Sequence, residues 1–575
     1  MGSAIACLMA PQNARSIRIL WNRKKPVIVI LALLGAAVLL STAFSTRPAL
    51  SFGGSNWRCY GLVTQLALLV FTLLTAAWLA SGIVRIEAVL KAVAVSGSCI
   101  AFYAILQYFG WDPLLPPATY HIGEGEWTIV RPPGTIGHAD YLGSYLVFVM
   151  FLGGSLWFRE RLLGWRLVGA ATALLSAFAI VLSGTRSAIL AAGCGVVLLL
   201  FRFRPSVRNT IAGLSVILVA FMGFYFSPLG LKLRGRTRWY VEDPAGGARL
   251  LLWRDSLHFA MGRLAPGWGP ETFGASFPRY ESIELARAYP DFYHESPHNI
   301  LLDELTDKGV PGLVVFLAWT GMAARSAWRH LRGRIENAPL AAALLAGLIS
   351  LQFNAFVLTT AFFFFLTCVL VLSLDREPEP DVGPHRTWHV AVAAFIGLPL
   401  AALFALFAVR LSVADAAMAT VRTRLESGNV LAAASRYEVV RRWEPRRGSS
   451  DSYYSRNMAA VVRRQREVYP AVKAWQEAIQ SGIRATQIAE DPQNAFYQLA
   501  SIYAQGDNRK DAERCLRSAI EIAPNWFKPH WVLARLLQTA GRIDEALVEA
   551  AAAVDRDGGK HSETRETLRQ LQQPR

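Results

Sequence analysis

The feature that most constrains this chain is a series of about eleven apolar stretches, each close to the 20 residues a helix needs to cross a bilayer. They lie near 26–46, 60–83, 88–109, 140–158, 165–182, 187–202, 209–227, 309–328, 338–355, 357–374 and 388–409. Inside lipid every backbone N–H and C=O must pair within the protein, so runs of this length read as spanning helices. A composition 53% hydrophobic and only 18% charged agrees, being more apolar than a soluble domain. The sequence therefore predicts an all-α fold: a polytopic integral membrane bundle of about 11 to 12 spans over 26–410. A short cytoplasmic N-terminus, 1–25, precedes it and a separate helical domain over 425–575 follows.

Basic residues orient the chain. Arg15, Arg18, Arg23, Lys24 and Lys25 precede a first run longer than a signal peptide's apolar core, so that run reads as a span with its start in the cytoplasm. Alternation then puts Arg85, the group Arg159, Arg161 and Arg166, the group Arg202, Arg204 and Arg208, and the group Arg325, Arg329, Arg332 and Arg334 on that same side. The opposite, outer face receives the 110–139 loop, the SGTRS turn at 183–187 and a long loop over 228–308. An odd span count also delivers the C-terminal domain there, and one span more or fewer would move it to the cytoplasm. The net charge of +17 is accounted for by these basic turns, and nucleic acid is not expected. Cys7, Cys59, Cys99, Cys194, Cys368 and Cys515 are scattered without a CxxC pair and carry no metal or disulfide signal.

Beyond about 425 a period of roughly 34 residues emerges, the length of a tetratricopeptide helix pair. Ala500, Tyr503, Ala512 and Leu516 recur as Ala534, Leu537, Ala546 and Ala550, and Pro524 closes a unit. Gly428, Ala433, Tyr437 and Pro445 mark a more divergent one. Two good repeats and one or two degenerate ones are expected, a domain suited to docking a protein partner or to serving as scaffold.

The long loop ends in HESPHNILLDELTDKGVPG, His294 to Gly312. Ser296 suits an N-cap with Pro297 at the first helical position; Ile300, Leu301, Leu302 and Leu305 form an apolar stripe, and Gly309 stands at the helix end. That places His298 in the first turn, where the helix field disfavours imidazolium and attracts anions. A neutral histidine beside a phosphate suits a general base, while a histidine merely hydrogen-bonded at the membrane interface is the reading that helix position alone favours.

His298 and Asn299, then nine residues, then Gly309 and Gly312 resemble the signature of the O-antigen ligase family. RPPGTIGHADYLGSYL at 131–146, SGTRSAIL at 183–190 and RLLLWRDSLHFAMGRLAPGWGPETFGASFP at 249–278 fit in order, so the resemblance covers about 125–375. Ala265 and Trp268 depart from the acidic and small residues common in relatives. The resemblance implies a metal-independent glycosyltransferase of GT-C type in the bacterial inner membrane, acting in lipopolysaccharide biosynthesis without a cofactor. It would move a glycan from undecaprenyl diphosphate to an acceptor hydroxyl, that of lipid A core in a ligase, at the periplasmic face. Arg186 and Arg249 match the arginines assigned to the carrier diphosphate, and His298 matches the residue proposed to activate the acceptor. Arg131, His138 and Tyr141 in the first motif, with His294 and Asn299 beside His298, are the candidate substrate-binding residues.

Other readings keep part of this. A polymerase extending lipid-linked glycan, or an oligosaccharyltransferase acting on protein hydroxyls, would share the chemistry and change the acceptor. A transporter would want ionisable residues in mid-span, in which these spans are poor, and an assembly scaffold would place the function in the repeats. His121, Glu124 and Glu126 offer only a weak cation site, and Lys232, Arg234, Arg236 and Arg238 read as headgroup contacts, with attraction of the anionic carrier as the alternative.

Overall fold

A computed structural model describes residues 10–56, 58–116, 119–122, 129–242, 247–374, 387–445, 449–462, 464–465 and 467–573. Among them the only strands are His121–Ile122 and Ile129–Val130, a two-residue antiparallel pairing, and the fold is otherwise helical. Each expected span meets a helix. Among the described residues nine helices are long and apolar enough to cross a membrane, and the remaining two apolar helices, Ile335–Leu351 and Leu358–Leu372, are shorter.

The apolar surface is consistent with lipid as the surrounding solvent. Val207–Phe226 has no buried residue although it is apolar along its length, and Val216 and Phe226 are about 70% exposed. Such a helix satisfies its backbone internally but leaves its side chains no protein core, a state stable only in hydrocarbon. At the centre, Ala139–Gly154 is buried nearly throughout, with Phe148 and Phe151 against neighbouring helices. Gly347 allows this contact, since a Cβ there would lie 2.2 Å from the Phe148 ring.

Basic turns gather at one end of the bundle. Arg23 donates to Ala80 O at 2.6 Å, Lys24 to Leu372 O, and Arg202 to Leu331 O and Gly333 O, both at 2.6 Å. Arg159 joins the same end through Asn337 (2.8 Å) and Glu87 (3.1 Å). The turns 45–61, 131–141, 183–187 and 264–271 lie at the other end, tied to one another as described below.

Boundaries differ from the apolar runs in ways the backbone explains. The first helix begins at Ala10 and bends at Lys24, before Pro26, so the basic segment continues the helix. The run at 309–328 is the second part of Ile300–Arg332, interrupted at Gly309. The last membrane helix, Thr387–Glu426, runs on into the C-terminal domain. The 228–308 loop is largely ordered by its own helices, chiefly Leu231–Glu242 and Arg249–Met261.

The C-terminal domain stacks antiparallel helix pairs. Pro492–Gln505 and Arg509–Ile522 form one, Phe527–Thr539 and Ile543–Asp557 the next; Phe527 follows Pro492 by 35 residues and Ile543 follows Arg509 by 34. The eight recurring positions Ala500, Tyr503, Ala512, Leu516, Ala534, Leu537, Ala546 and Ala550 share one buried seam. In the divergent unit Ala433 and Tyr437 are buried, Tyr437 stacking on Tyr454 at 3.7 Å. The stack leans on the long loop: Lys528 pairs with Asp291 (2.7 Å), Arg287 with Asp555, and the Tyr293 hydroxyl donates to Glu490 O (3.1 Å).

Candidate active site

The start of Ile300–Arg332 is set by Asn299 rather than Ser296. Its Oδ1 accepts from the N–H groups of Leu301 (3.0 Å) and Leu302 (3.2 Å), and its carbonyl accepts from Asp303 N at 2.8 Å. Asn299 Nδ2 donates to Gln352 O at 3.3 Å, so both ends of the amide are engaged. Ser296 Oγ instead accepts from His298 N at 3.1 Å, closing a tight turn in which His298 has a left-handed φ of 49°. The expectation that Pro297 opens the helix and His298 lies in its first turn is thus corrected: the turn ends the loop, and His298 stands just outside the helix.

The second half of the signature has an equally local cause. Gly309 sits at φ 67°, where an added Cβ would meet Leu264 O at 2.4 Å. The break frees helix groups that the 264–269 segment takes up: Val310 N donates to Leu264 O (2.8 Å), Trp268 N to Thr306 O (2.9 Å) and Gly269 N to Asp307 O (3.0 Å). Trp268, a departure from the family's pattern, stacks on Phe259 with centroids 4.5 Å apart and pins that segment. The nine-residue interval therefore spans the distance from a capped helix start to the point where a second loop slots into the helix.

Around His298 the other motifs converge on Asp140. Arg131 pairs with its carboxylate, and Thr185 Oγ1 lies 3.2 Å from the same oxygen and 3.1 Å from Ala139 O. His138 Nδ1 accepts from Asp140 N at 3.2 Å, and its ring lies 5.3 Å from that of Tyr141. Arg186, half-buried, is the first residue of Arg186–Phe203, immediately after Thr185. Arg236, buried, donates to Gly184 O at 3.4 Å in the same turn. Lys232 donates to Tyr108 O (2.9 Å) and Arg234 to Ser227 O (3.1 Å), so each of these cations reaches a protein carbonyl, and the side chain of Arg238 lies outside the described residues.

Two clamps hold the His298 turn. Trp253 Nε1 donates to Pro297 O at 3.0 Å, and the Tyr141 hydroxyl donates to Glu295 Oε1 at 2.6 Å. Arg249, one turn before Trp253 and opening Arg249–Met261, has its guanidinium 5.8 Å from the Phe353 ring. Burial, and next the Arg249 charge, hold the His298 imidazole down at about 4; Arg58 and His138 push the same way and Asp140 opposes them. At neutral pH the ring is therefore uncharged with a lone pair free to take a proton, and no side-chain hydrogen bond engages it among the described residues.

Beneath the turn lies a charged layer that the sequence did not reveal. Arg58 contacts Asp303 through two nitrogens (3.3 and 2.6 Å), donates to Phe356 O (3.0 Å) and approaches Glu271 at 3.9 Å. Glu271 accepts from Tyr60 N (2.8 Å) and Ser55 N (3.3 Å), and Lys308 pairs with Glu304 at 2.7 Å. Two signals were present: Arg58 sits on the face where basic residues are not expected, and LLDELTDKG carries four charges in a helix entering the membrane.

His294 goes elsewhere, turning to a cavity at the repeats. For the weak cation site, Glu124 and Glu126 lie outside the described residues, and among the described residues no cluster of three His, Cys, Asp or Glu is poised to hold a metal. None of the five described cysteines is in a disulfide, and Cys7 lies outside the described residues.

A neutral imidazole beside arginines and an anchored carboxylate can accept a proton from a hydroxyl while the guanidinium groups meet an anion. Residues 171–317 match the family model described as O-antigen ligase. The stretch includes Arg186, Arg249, His298, Asn299, Gly309 and Gly312 and stops short of Arg131, His138 and Tyr141. No curated protein matches the chain. Among solved structures, that of a thermophilic tetratricopeptide-repeat protein from Thermus thermophilus aligns at 21% identity over 32% of this chain and 91% of that one, with a TM-score of 0.23, too low an overlap to bear on the fold.

Proposed function

We propose that this chain, which carries an O-antigen ligase domain, transfers a glycan from undecaprenyl diphosphate to an acceptor hydroxyl at the periplasmic face of the bacterial inner membrane. His298 takes the hydroxyl proton, the oxygen forms a bond to the anomeric carbon, and the bond from that carbon to the diphosphate breaks. Lipid diphosphate leaves with the electron pair. A diphosphate is already a good leaving group, so the remaining work is to neutralise its charge and align the reactants. Arg249, Arg186 and Arg131 are suited to that, because guanidinium pairs with phosphate oxygens at any relevant pH. Asn299, Tyr141 and His138 position the walls, with Tyr141 acting through Glu295.

The single observation that carries this reading is His298 held neutral beside Arg249, one proton acceptor next to one guanidinium. The cluster of basic turns at the opposite end of the bundle supports the orientation, since such turns face the cytoplasm. Lipid A core is the acceptor in the ligase reading. The repeats leaning on the loop that carries His298 favour, as a second reading, a growing polymer or a protein hydroxyl held by that domain.

Purified protein given lipid-linked glycan and each candidate acceptor, with and without chelator, tests the proposal. Transfer to lipid A core, insensitive to chelator, is expected. In a deletion strain, lipid A core that still carries polymer while lipid-linked chains shorten would replace the ligase reading by the polymerase one.

A further inference from the structure

Between the long loop and the repeats lies a cavity of 190 Å³. Glu281, Phe292 and His294 border it from the loop, and Gln493, Tyr497 and Trp526 from the repeats. The seam is built: Asn525 Nδ2 donates to Glu281 O at 2.7 Å, and Lys528 is taken up by Asp291 at 2.7 Å.

Four buried polar atoms of its lining lack a hydrogen-bond partner among the described residues: Glu281 Oε1, both ring nitrogens of His294 and Gln493 Oε1. His294 is 7% and Gln493 5% exposed, so water from bulk does not serve them. Glu281 Oε1 and His294 Nε2 are 3.7 Å apart, beyond hydrogen-bond reach. Buried polar groups are almost always paired, and several orphans on one cavity indicate a missing occupant. Burial, with Asp255 adding, pushes the Glu281 carboxyl up to about 8, and burial, with His298 adding, pushes His294 down to about 3. Two opposed neutral groups are the outcome, since solvent stabilises neither charge.

The unfilled set is therefore an O–H donor, an imidazole that donates once and accepts once, and an amide carbonyl, all uncharged. An anion would find Lys528 already taken up by Asp291, and a cation would find Asp291 held by Lys528, Asp491 engaged by Asn494 Nδ2 at 3.0 Å and Glu281 protonated. Aromatic faces complete the wall: Tyr497 and Trp526 lie 5.0 Å apart, and Phe292 is 5.1 Å from His294. Alternating donors and acceptors beside aromatic faces suit a ring that carries hydroxyls on its edge and C–H groups on its face. At about 30 Å³ per water the space displaces roughly six waters, the scale of one sugar ring.

We propose that this cavity is a sugar subsite, seating one ring of the glycan substrate between Glu281 and His294 of the loop and Gln493 and Trp526 of the repeats. The inference rests on the glycan-transfer reading and makes the repeat domain part of the substrate site. His294 precedes His298 by four residues and lowers its own pKa through it, so an occupant here adjoins the reacting groups. The ring belongs either to the lipid-linked donor or to a glycan acceptor.

The test uses full-length protein in lipid nanodiscs and, as probe, the glycan freed from the producing cell's lipid carrier by mild acid, followed by saturation-transfer NMR and fluorescence titration. Native protein and the His298→Ala variant are expected to bind it equally, with Trp526→Ala and Glu281→Ala at least about tenfold weaker and Trp526→Phe near native. No saturable binding by the native protein, or native binding by both alanine variants, overturns the subsite. Because binding is read in the His298→Ala background, a failure of the transfer chemistry leaves this result standing, and the reverse. In transfer assays, a KM raised for the donor alone or for the acceptor alone by Trp526→Ala names the source of the ring; an unchanged KM for both overturns the proposal.

Discussion

The Tyr141 hydroxyl donates to Glu295 Oε1 across 2.6 Å, joining the first turn of Ala139–Gly154 to the loop residue three before His298. Two motifs whose tied residues stand 154 positions apart in the chain are thereby fixed against one another. A hydrogen bond to a charged group contributes about 1.5–3 kcal/mol. Tyr141→Phe is expected to lower kcat about tenfold through misalignment, with the protein still folded and its melting midpoint lowered by a few degrees. Glycan transfer by purified Tyr141→Phe at the native rate would mean that the tie positions nothing.

The acidity of His298 sets the pH profile. Its imidazole must be neutral to accept a proton, and its pKa is held at about 4 against an ordinary 6.5, so transfer should fall only near pH 4 and be flat through 6.5. A neighbouring cation disfavours imidazolium and lowers the pKa; removing it raises the pKa. Arg249→Gln should therefore move the acid limb upward, by part of that interval only, because burial is the larger cause. Rate–pH curves normalised to each variant's own plateau measure this, and a limb that stays or moves down would contradict it.

Arg58 and Asp303 form a buried pair, and breaking one side leaves the other without its nearest counter-charge. Arg58→Met or Asp303→Asn should destabilise the protein by about 3–5 kcal/mol. The double variant Arg58→Met/Asp303→Leu removes both charges and should recover a substantial part, visible as a higher melting midpoint than either single variant in detergent. A double variant as unstable as the sum of the singles would show that the pair is not the unit that matters.

Gly309 has a left-handed φ and no room for a side chain, its would-be Cβ lying 2.4 Å from Leu264 O. Gly309→Ala should cost at least about 1–3 kcal/mol and loosen the 264–269 segment. Limited proteolysis should then cut near Arg263 faster than in the native protein; an unchanged cleavage rate would count against the slot.

How much of this was legible follows from the range of each interaction. The spans were readable because lipid demands long apolar runs of any sequence, although Leu358–Leu372 ends sooner than its run, and the first helix reaches back to Ala10 through residues too polar for a span. His298, Asn299, Arg186, Arg249 and Arg131 were singled out through the resemblance to the family's motifs, and those motifs record local backbone needs: a cap, a break at Gly309, a turn before a helix. The choice of Asn299 over Ser296 as cap was not readable, since both are good caps and the left-handed turn at His298 decides between them. Glu295 and the Arg58 to Asp303 pair escaped because each is defined by a partner distant in sequence, as is the Thr185 contact that ties Asp140 to the next motif. The inward turn of Arg236 to Gly184 O escaped for the same reason.

The central claim is that His298 takes the acceptor proton. Purified His298→Ala protein, reconstituted with lipid-linked glycan and acceptor, measures it most directly. Removal of a general base is predicted to lower transfer by about 10²–10⁴ with folding and lipid-linked glycan binding intact. Transfer by that variant within a few-fold of the native rate would contradict the account.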